Sequence, residues 1–116
     1  MTNTKQTTLN PNTIRHLQNY IAAKAEERGF ADETLHERLV LLMEEVGELA
    51  KACRKVSHMN VDVNREIHNH VGEEIADVLN MIFAVGIELG VDIESEFLDK
   101  ESEVDKRHYQ RVESHQ

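Results

Sequence analysis

The chain has 116 residues, with 13 Lys or Arg against 22 Asp or Glu and a net charge of −9. That length fits one domain able to bury a core. The acidic balance excludes a nucleic-acid binder, which needs a basic footprint to displace counterions from phosphates.

Residues Met1–Asn12 are polar and lack the apolar stretch of a signal peptide; residues 1–8 are expected to be flexible. The first helix is predicted to begin at the single proline, Pro11, with Asn10 or Asn12 as its cap. Ile14, Leu17, Ile21 and Ala25 recur at helical spacing until Gly29 stops the run. A second helix is predicted from Asp32 or Thr34, where Thr34 and Glu37 form a candidate capping box. Its apolar stripe is Leu42, Val46, Leu49, Cys53 and Val56. Cys53 is the only cysteine, so no disulfide forms within the chain, and a buried thiol in a reducing, cytoplasmic setting is expected.

A short connection at Ser57–Asn60 leads into a third helix whose stripe is Ile67, Val71, Ile75, Val78, Ile82, Val85 and Leu89, ending at Gly90. Its second half is apolar nearly all round, as in a helix buried on several sides. The longest uninterrupted apolar or glycine run, Met81–Ile87, is far short of the about 20 residues that span a bilayer, so no membrane partner is expected. Asp92 is the predicted cap of a fourth helix carrying Ile93, Phe97 and Val104, with acids in its first turn where the helix dipole favours them. Residues 112–116 are expected to be flexible. The pattern is all-α, a single domain over 1–116 with an ordered core at about 10–109.

Two acidic pairs, Glu45 with Glu48 and Glu74 with Asp77, are each spaced i, i+3 and so project from one helix face. At about 100° per residue, Glu45 and Glu48 lie about 60° and 120° to one side of Leu42, and Glu74 and Asp77 lie equally offset from Val71. In an antiparallel helix pair such equal offsets fall on the same side of the interface. Counted from a turn near Asn60–Val61, the two pairs differ in height by only about 1.5 Å. Four carboxylates are therefore expected to converge. Unpartnered, two such charges 4 Å apart repel by about 4 kcal/mol at an effective dielectric of 20. An all-oxygen anionic cluster suits Mg²⁺, or Mn²⁺ in its place, rather than zinc. Mg²⁺ held this way fills its remaining positions with water and phosphates, which points to phosphoryl chemistry. The alternative is a structural ion network neutralised by Lys51 and Lys55.

Glu44-Glu45-Val46-Gly47-Glu48, followed after 25 intervening residues by Glu74-Ile75-Ala76-Asp77, resembles the EExxE…ExxD signature of the all-α, MazG-like nucleoside triphosphate pyrophosphohydrolases. The stretches LLMEEVGELAKACRK and GEEIADVLNMIFAVGIELGVDIE resemble that family throughout, and the likeness covers about residues 10–109. It implies a four-helix bundle with an antiparallel central pair, assembled as a homodimer or homotetramer. It implies Mg²⁺ on Glu45, Glu48, Glu74 and Asp77, with Glu44 supporting the site or orienting the attacking water. The reaction implied cleaves a nucleoside triphosphate to the monophosphate and pyrophosphate, a nucleotide-pool house-cleaning role. Near the C-terminus the family's Asn-x-x-Arg-Tyr element corresponds to Asp105-Lys106-Arg107-His108-Tyr109, with Asp for Asn and His for Arg. Lys100, Lys106 and Arg107 remain candidates for phosphate contacts, and Lys51 and Asn80 are added as substrate-binding candidates.

Other residues divide between site and scaffold. Asn80 interrupts the most apolar stretch, so it is expected as a buried amide bonded between helices or to substrate. Gly47 in mid-helix suggests a close approach by a helix or ligand. Phe30 is expected in the core or beside a base, His70 near Glu74 but partly exposed, and His68 on the surface. Three other readings stay open. One is a phosphoribosyl-ATP pyrophosphohydrolase, and another a non-catalytic helical interaction module. The third, a di-iron carboxylate bundle, needs two Glu-x-x-His motifs, and only Glu33–His36 supplies one.

Overall fold

The computed structural model describes residues 7–64 and 70–113. Expectations placed on Ile67, His68, residues 1–6 and residues 114–116 lie outside the described residues. Among the described residues there are four α-helices and no strand: α1 Thr13–Glu27, α2 Leu35–Val56, α3 Val71–Glu88 and α4 Ile93–Val104. None of these helices is long and apolar enough to cross a membrane.

Local chemistry sets most of the boundaries. α1 gives way at Gly29 and α3 at Gly90, which take positive φ of 80° and 66°, a conformation that costs glycine nothing. Thr34 caps α2 by accepting the Glu37 amide at 3.1 Å, and its hydroxyl also donates to the Glu37 carboxylate. Asp92 caps α4 through the Ser95 amide and hydroxyl. The link between the second and third helices is longer than the short turn expected at Ser57–Asn60, since α2 closes at Val56 and α3 opens at Val71.

The start of α1 corrects the sequence reading. Asn12 occupies the cap position but sits at φ 64° and makes no capping bond with its side chain. Glu94, from the first turn of α4, takes that role across the fold. It accepts the amides of Asn12, Ile14 and Arg15 at 3.2, 3.0 and 3.2 Å, and pairs with the Arg15 guanidinium at 2.8 Å. Arg15 also reaches Asp92 at 2.9 Å, and that hydrogen bond holds the Asp92 carboxyl below its usual range. Gln18 completes the clasp by donating to the Val91 carbonyl and accepting the Ile93 amide. Glu94 is 3% exposed, a buried charge tolerated because three donors and a cation surround it.

α2 and α3 make the main packing contact of the molecule, with α1 against α3 and α4. The α2–α3 interface is rotated from the predicted stripes. On α2 the covered positions include Arg38, Leu41, Leu42, Glu45, Glu48, Leu49 and Ala52, whereas Val46 and Val56 are exposed. On α3 they include Glu74, Val78, Met81 and Val85, whereas Ile75, Leu79 and Ile82 are exposed. The centre of contact therefore falls on Glu45 and Glu74 themselves. It is rotated by about 60° from Leu42 and Val71.

That rotation leaves apolar surface uncovered. Leu39, Met43 and Val46 on α2, and Ile75, Leu79 and Ile82 on α3, lie roughly 80–160° to the same side of the contact centre. Met43 is 66% exposed and Ile75 53%. Among the described residues only Ile21, Ala52 and Phe83 are buried apolar side chains. Cys53, expected to be buried, is only partly covered. Gly47 has open space where a Cβ would stand, against expectation, while a Cβ at Gly86 would meet Ile93 at 2.7 Å. Gly86 is thus the glycine that permits the α3–α4 approach.

Glu94→Ala strips the cap from α1 and leaves Arg15 without its buried partner. The expected loss is about 2 kcal/mol, a fall in melting temperature of about 10 °C. Glu94→Gln, which keeps an acceptor, should lose less. A melting curve unchanged by Glu94→Ala would show that α1 does not depend on this clasp.

Candidate metal centre

The hairpin positions the acids. Glu45 sits in the middle of the covered face of α2, and Glu74 in the first turn of α3, where its amide bonds the His70 carbonyl at 3.1 Å. One carboxylate oxygen from each of Glu45, Glu74 and Asp77 lies within 4.8 Å of the other two. Glu74 is buried at 6% exposure, Glu45 is partly covered and Asp77 is exposed. The cluster is therefore anchored inside the helix contact and opens outward through Asp77. Glu48 is not part of this triple, yet its charge is close enough to act on Glu45.

Burial, and then the charges of Asp77 and Glu74, push the Glu45 carboxyl above its ordinary value of 4.5, with further contributions from its contact with Glu74 and the charge of Glu48. Oε2 of Glu74 is buried and has no hydrogen-bond partner. No ion pair among the described residues joins Lys51 or Lys55 to Glu45, Glu74 or Asp77. A carboxylate that meets two others and holds a buried oxygen with no donor is the situation a hard divalent cation resolves. The donor set fits Mg²⁺.

The remaining candidates are spread around the protomer. Glu44 is exposed at the edge of an outer groove with His36, Val40 and Met43. Lys51 is partly covered on α2, one turn beyond Glu48. Lys100 is exposed and paired with Glu103, and Lys106 and Arg107 are exposed just past the end of α4. α4 makes its main contact with α1, and no ion pair among the described residues joins these last three to Glu45, Glu74 or Asp77. His70 is exposed and precedes α3 without capping it through its side chain.

A cavity of about 300 Å³ lies between α1, α2 and α3, its walls including Ile21, Phe30, Arg38, Leu41, Asn80 and Met81. Asn80 is exposed rather than buried, and Phe30 is half exposed rather than in the core. Both belong to this cavity. Arg38, which sequence reasoning missed, is 4% exposed. It donates to the Ala84 carbonyl at 2.6 Å and the Phe30 carbonyl at 3.4 Å, with Glu88 at 3.8 Å. Its Nε has no partner. Its i−3 and i−7 spacing from Leu41 and Glu45 was the available signal, because it places a cation on the acid-bearing face.

No protein-family model matches the chain, and no curated protein matches its sequence.

Without metal, the raised Glu45 value has a definite sign. The folded protein holds a proton there that the unfolded chain has released, so stability falls as pH rises from 4.5 through the raised value. Glu45→Gln should therefore raise the melting temperature of the metal-free protein at pH 7 by a few degrees, of the order of 1–5 °C, and reduce that slope. Millimolar Mg²⁺ should stabilise the unsubstituted protein but not Asp77→Asn. If these neutral substitutions instead destabilise the metal-free protein, the acids serve as structural partners.

Proposed function

We propose that this chain is a Mg²⁺-dependent nucleoside triphosphate pyrophosphohydrolase of the MazG-like kind, cleaving its substrate to the monophosphate and pyrophosphate. The observation that carries this reading is the meeting of Glu45 with the sequence-distant Glu74 and Asp77, where Glu74 also holds a buried oxygen without a hydrogen-bond partner. The EExxE…ExxD pattern selects this chemistry from among those an acidic cluster permits.

On this reading Glu45, Glu74 and Asp77 hold the ion, with Glu48 beside them. When bound, Mg²⁺ neutralises charge developing on the phosphate oxygens and lowers the pKa of its water. Asp77 is the exposed member, so the triphosphate approaches from its side of the hairpin. The Lys51 ammonium, one turn past Glu48, offers a phosphate partner on that side. Glu44, next to Glu45 in the chain, is the carboxylate that the EExxE pattern assigns to orient the attacking water.

The functional unit is proposed to be a homodimer or homotetramer. The uncovered face of Leu39, Met43, Val46, Ile75, Leu79 and Ile82 is a two-helix apolar surface, and a second such hairpin laid against it completes a four-helix core. In that arrangement Lys100, Lys106 and Arg107 serve a site on another copy. The same face also favours a second reading, a non-catalytic helical interaction module that docks a different partner.

Two outcomes separate these readings. With Mg²⁺, a screen of standard and modified nucleoside triphosphates and phosphoribosyl-ATP should show pyrophosphate release from at least one. Glu74→Gln or Asp77→Asn should lower its kcat by about a hundredfold or more. Inertness toward every nucleotide would leave the interaction module. Sedimentation should show a dimer or larger species at micromolar concentration, and Leu79→Glu should shift it to monomer with reduced stability. A monomeric, unsubstituted protein would exclude the shared site.

A further inference from the structure

The cavity and the acidic cluster occupy neighbouring turns of one hairpin. Leu41 lies four residues before Glu45, and Asn80 and Met81 lie three and four residues after Asp77. Leu41 and Asn80 lie one helical turn, about 5.4 Å, from the acids, and Arg38 and Ala84 about two turns, so a nucleotide with phosphates at the acids places its sugar at the near edge of the cavity and its base beside Arg38. The chemistry of that space is specific. Phe30 presents a half-exposed ring, suited to cover a planar group. Leu41, Met81 and Ala84 supply apolar walls. The guanidinium of Arg38 is fixed by the carbonyls of Ala84 and Phe30, two residues that themselves line the cavity. That anchoring leaves Nε–H as a buried donor without an acceptor.

We propose that Arg38 is a specificity-determining residue, selecting a ring that carries an oxo group for its Nε–H over one that carries an amino group there. This rests on the nucleotide reading of the acidic site and deepens it by naming the class of base. An oxo oxygen supplies the missing acceptor. An exocyclic amine sets donor against donor and leaves both unsatisfied, and this kind of mismatch discriminates strongly in a dry site. Nε is shielded from solvent, so a small side-chain rotation must admit the oxygen. Met81, unbranched and adaptable, and Phe30, half exposed, are the movable parts of the wall.

The test uses inosine and adenosine, purine nucleosides that differ at C6 in an oxo against an amino group and at the adjoining N1 in an N–H against a bare nitrogen, so it needs no metal and no turnover. In ¹H–¹⁵N spectra of the full chain, inosine should shift the Arg38 Nε–Hε resonance and bind about tenfold or more tightly than adenosine. Arg38→Lys should equalise the two. Ala25→Leu, which fills the cavity while leaving Arg38 in place, should abolish binding of both. Should Arg38→Lys fail to fold, the resonance of the unsubstituted protein decides. Equal affinities, no binding of either nucleoside, or an unmoved Nε–Hε resonance overturns the proposal. Inosine selectivity without triphosphate hydrolysis supports the role of Arg38 and sinks the enzymatic reading; hydrolysis without that selectivity does the reverse.

Discussion

Like charges forced together at a helix contact are the constraint from which the rest of this molecule follows. α2 and α3 meet on a face that carries Glu45 and Glu74 near its centre, with Glu48 and Asp77 about 60° to one side. Ordinary hairpins put leucines there. Apolar substitution would lower the electrostatic cost, so stability does not account for the arrangement. On the proposed function the acids are a prepared site, where a divalent cation would turn repulsion into attraction and make the helix contact conditional on its ligand.

The same rotation explains the thin core. Centring the contact on the acids turns Leu39, Met43 and Val46 away from α3, and Ile75, Leu79 and Ile82 away from α2. The protomer then shows one wet, acidic side next to a cavity and one apolar side with little to cover it. α1 and α4 are tied to each other through Glu94, Arg15 and Gln18, and α1 forms the third wall of the cavity.

Much of the architecture was legible in the residues because it depends on local chemistry. Gly29, Thr34, Gly90 and Asp92 mark ends that are set within one turn of chain, and each sits where its own φ or side-chain bond requires. The approach of Glu45 to Glu74 and Asp77 was legible too, since equal spacing keeps equal angular offset whichever residue centres the contact, although Glu48, expected with them, stands outside that triple. The phase was not. Apolar stripes show which residues avoid water but not whether a helix in the same protomer or a second chain covers them, so Leu42 and Val71 were natural but wrong centres. Tertiary substitutions were equally hidden. Glu94 caps a helix about eighty residues away in sequence, and no local pattern announces that Asn12 leaves the role to it. Asn80 was expected to be buried because its neighbours are apolar, yet Val78, Met81 and Phe83 are covered while Asn80 itself is exposed at the cavity. Arg38 stood in view on the acid-bearing face, but its carbonyl partners come from α3 and the α1–α2 loop.

The central claim is that Glu45, Glu74 and Asp77 grip one divalent ion across the hairpin. Anomalous diffraction from crystals grown with Mn²⁺ reads this directly. The account predicts a manganese peak bonded at about 2.0–2.3 Å to oxygens of all three residues, lost in Asp77→Asn crystals. Manganese found only elsewhere, or Glu74 bonded to a protein cation with no metal bound, would contradict it.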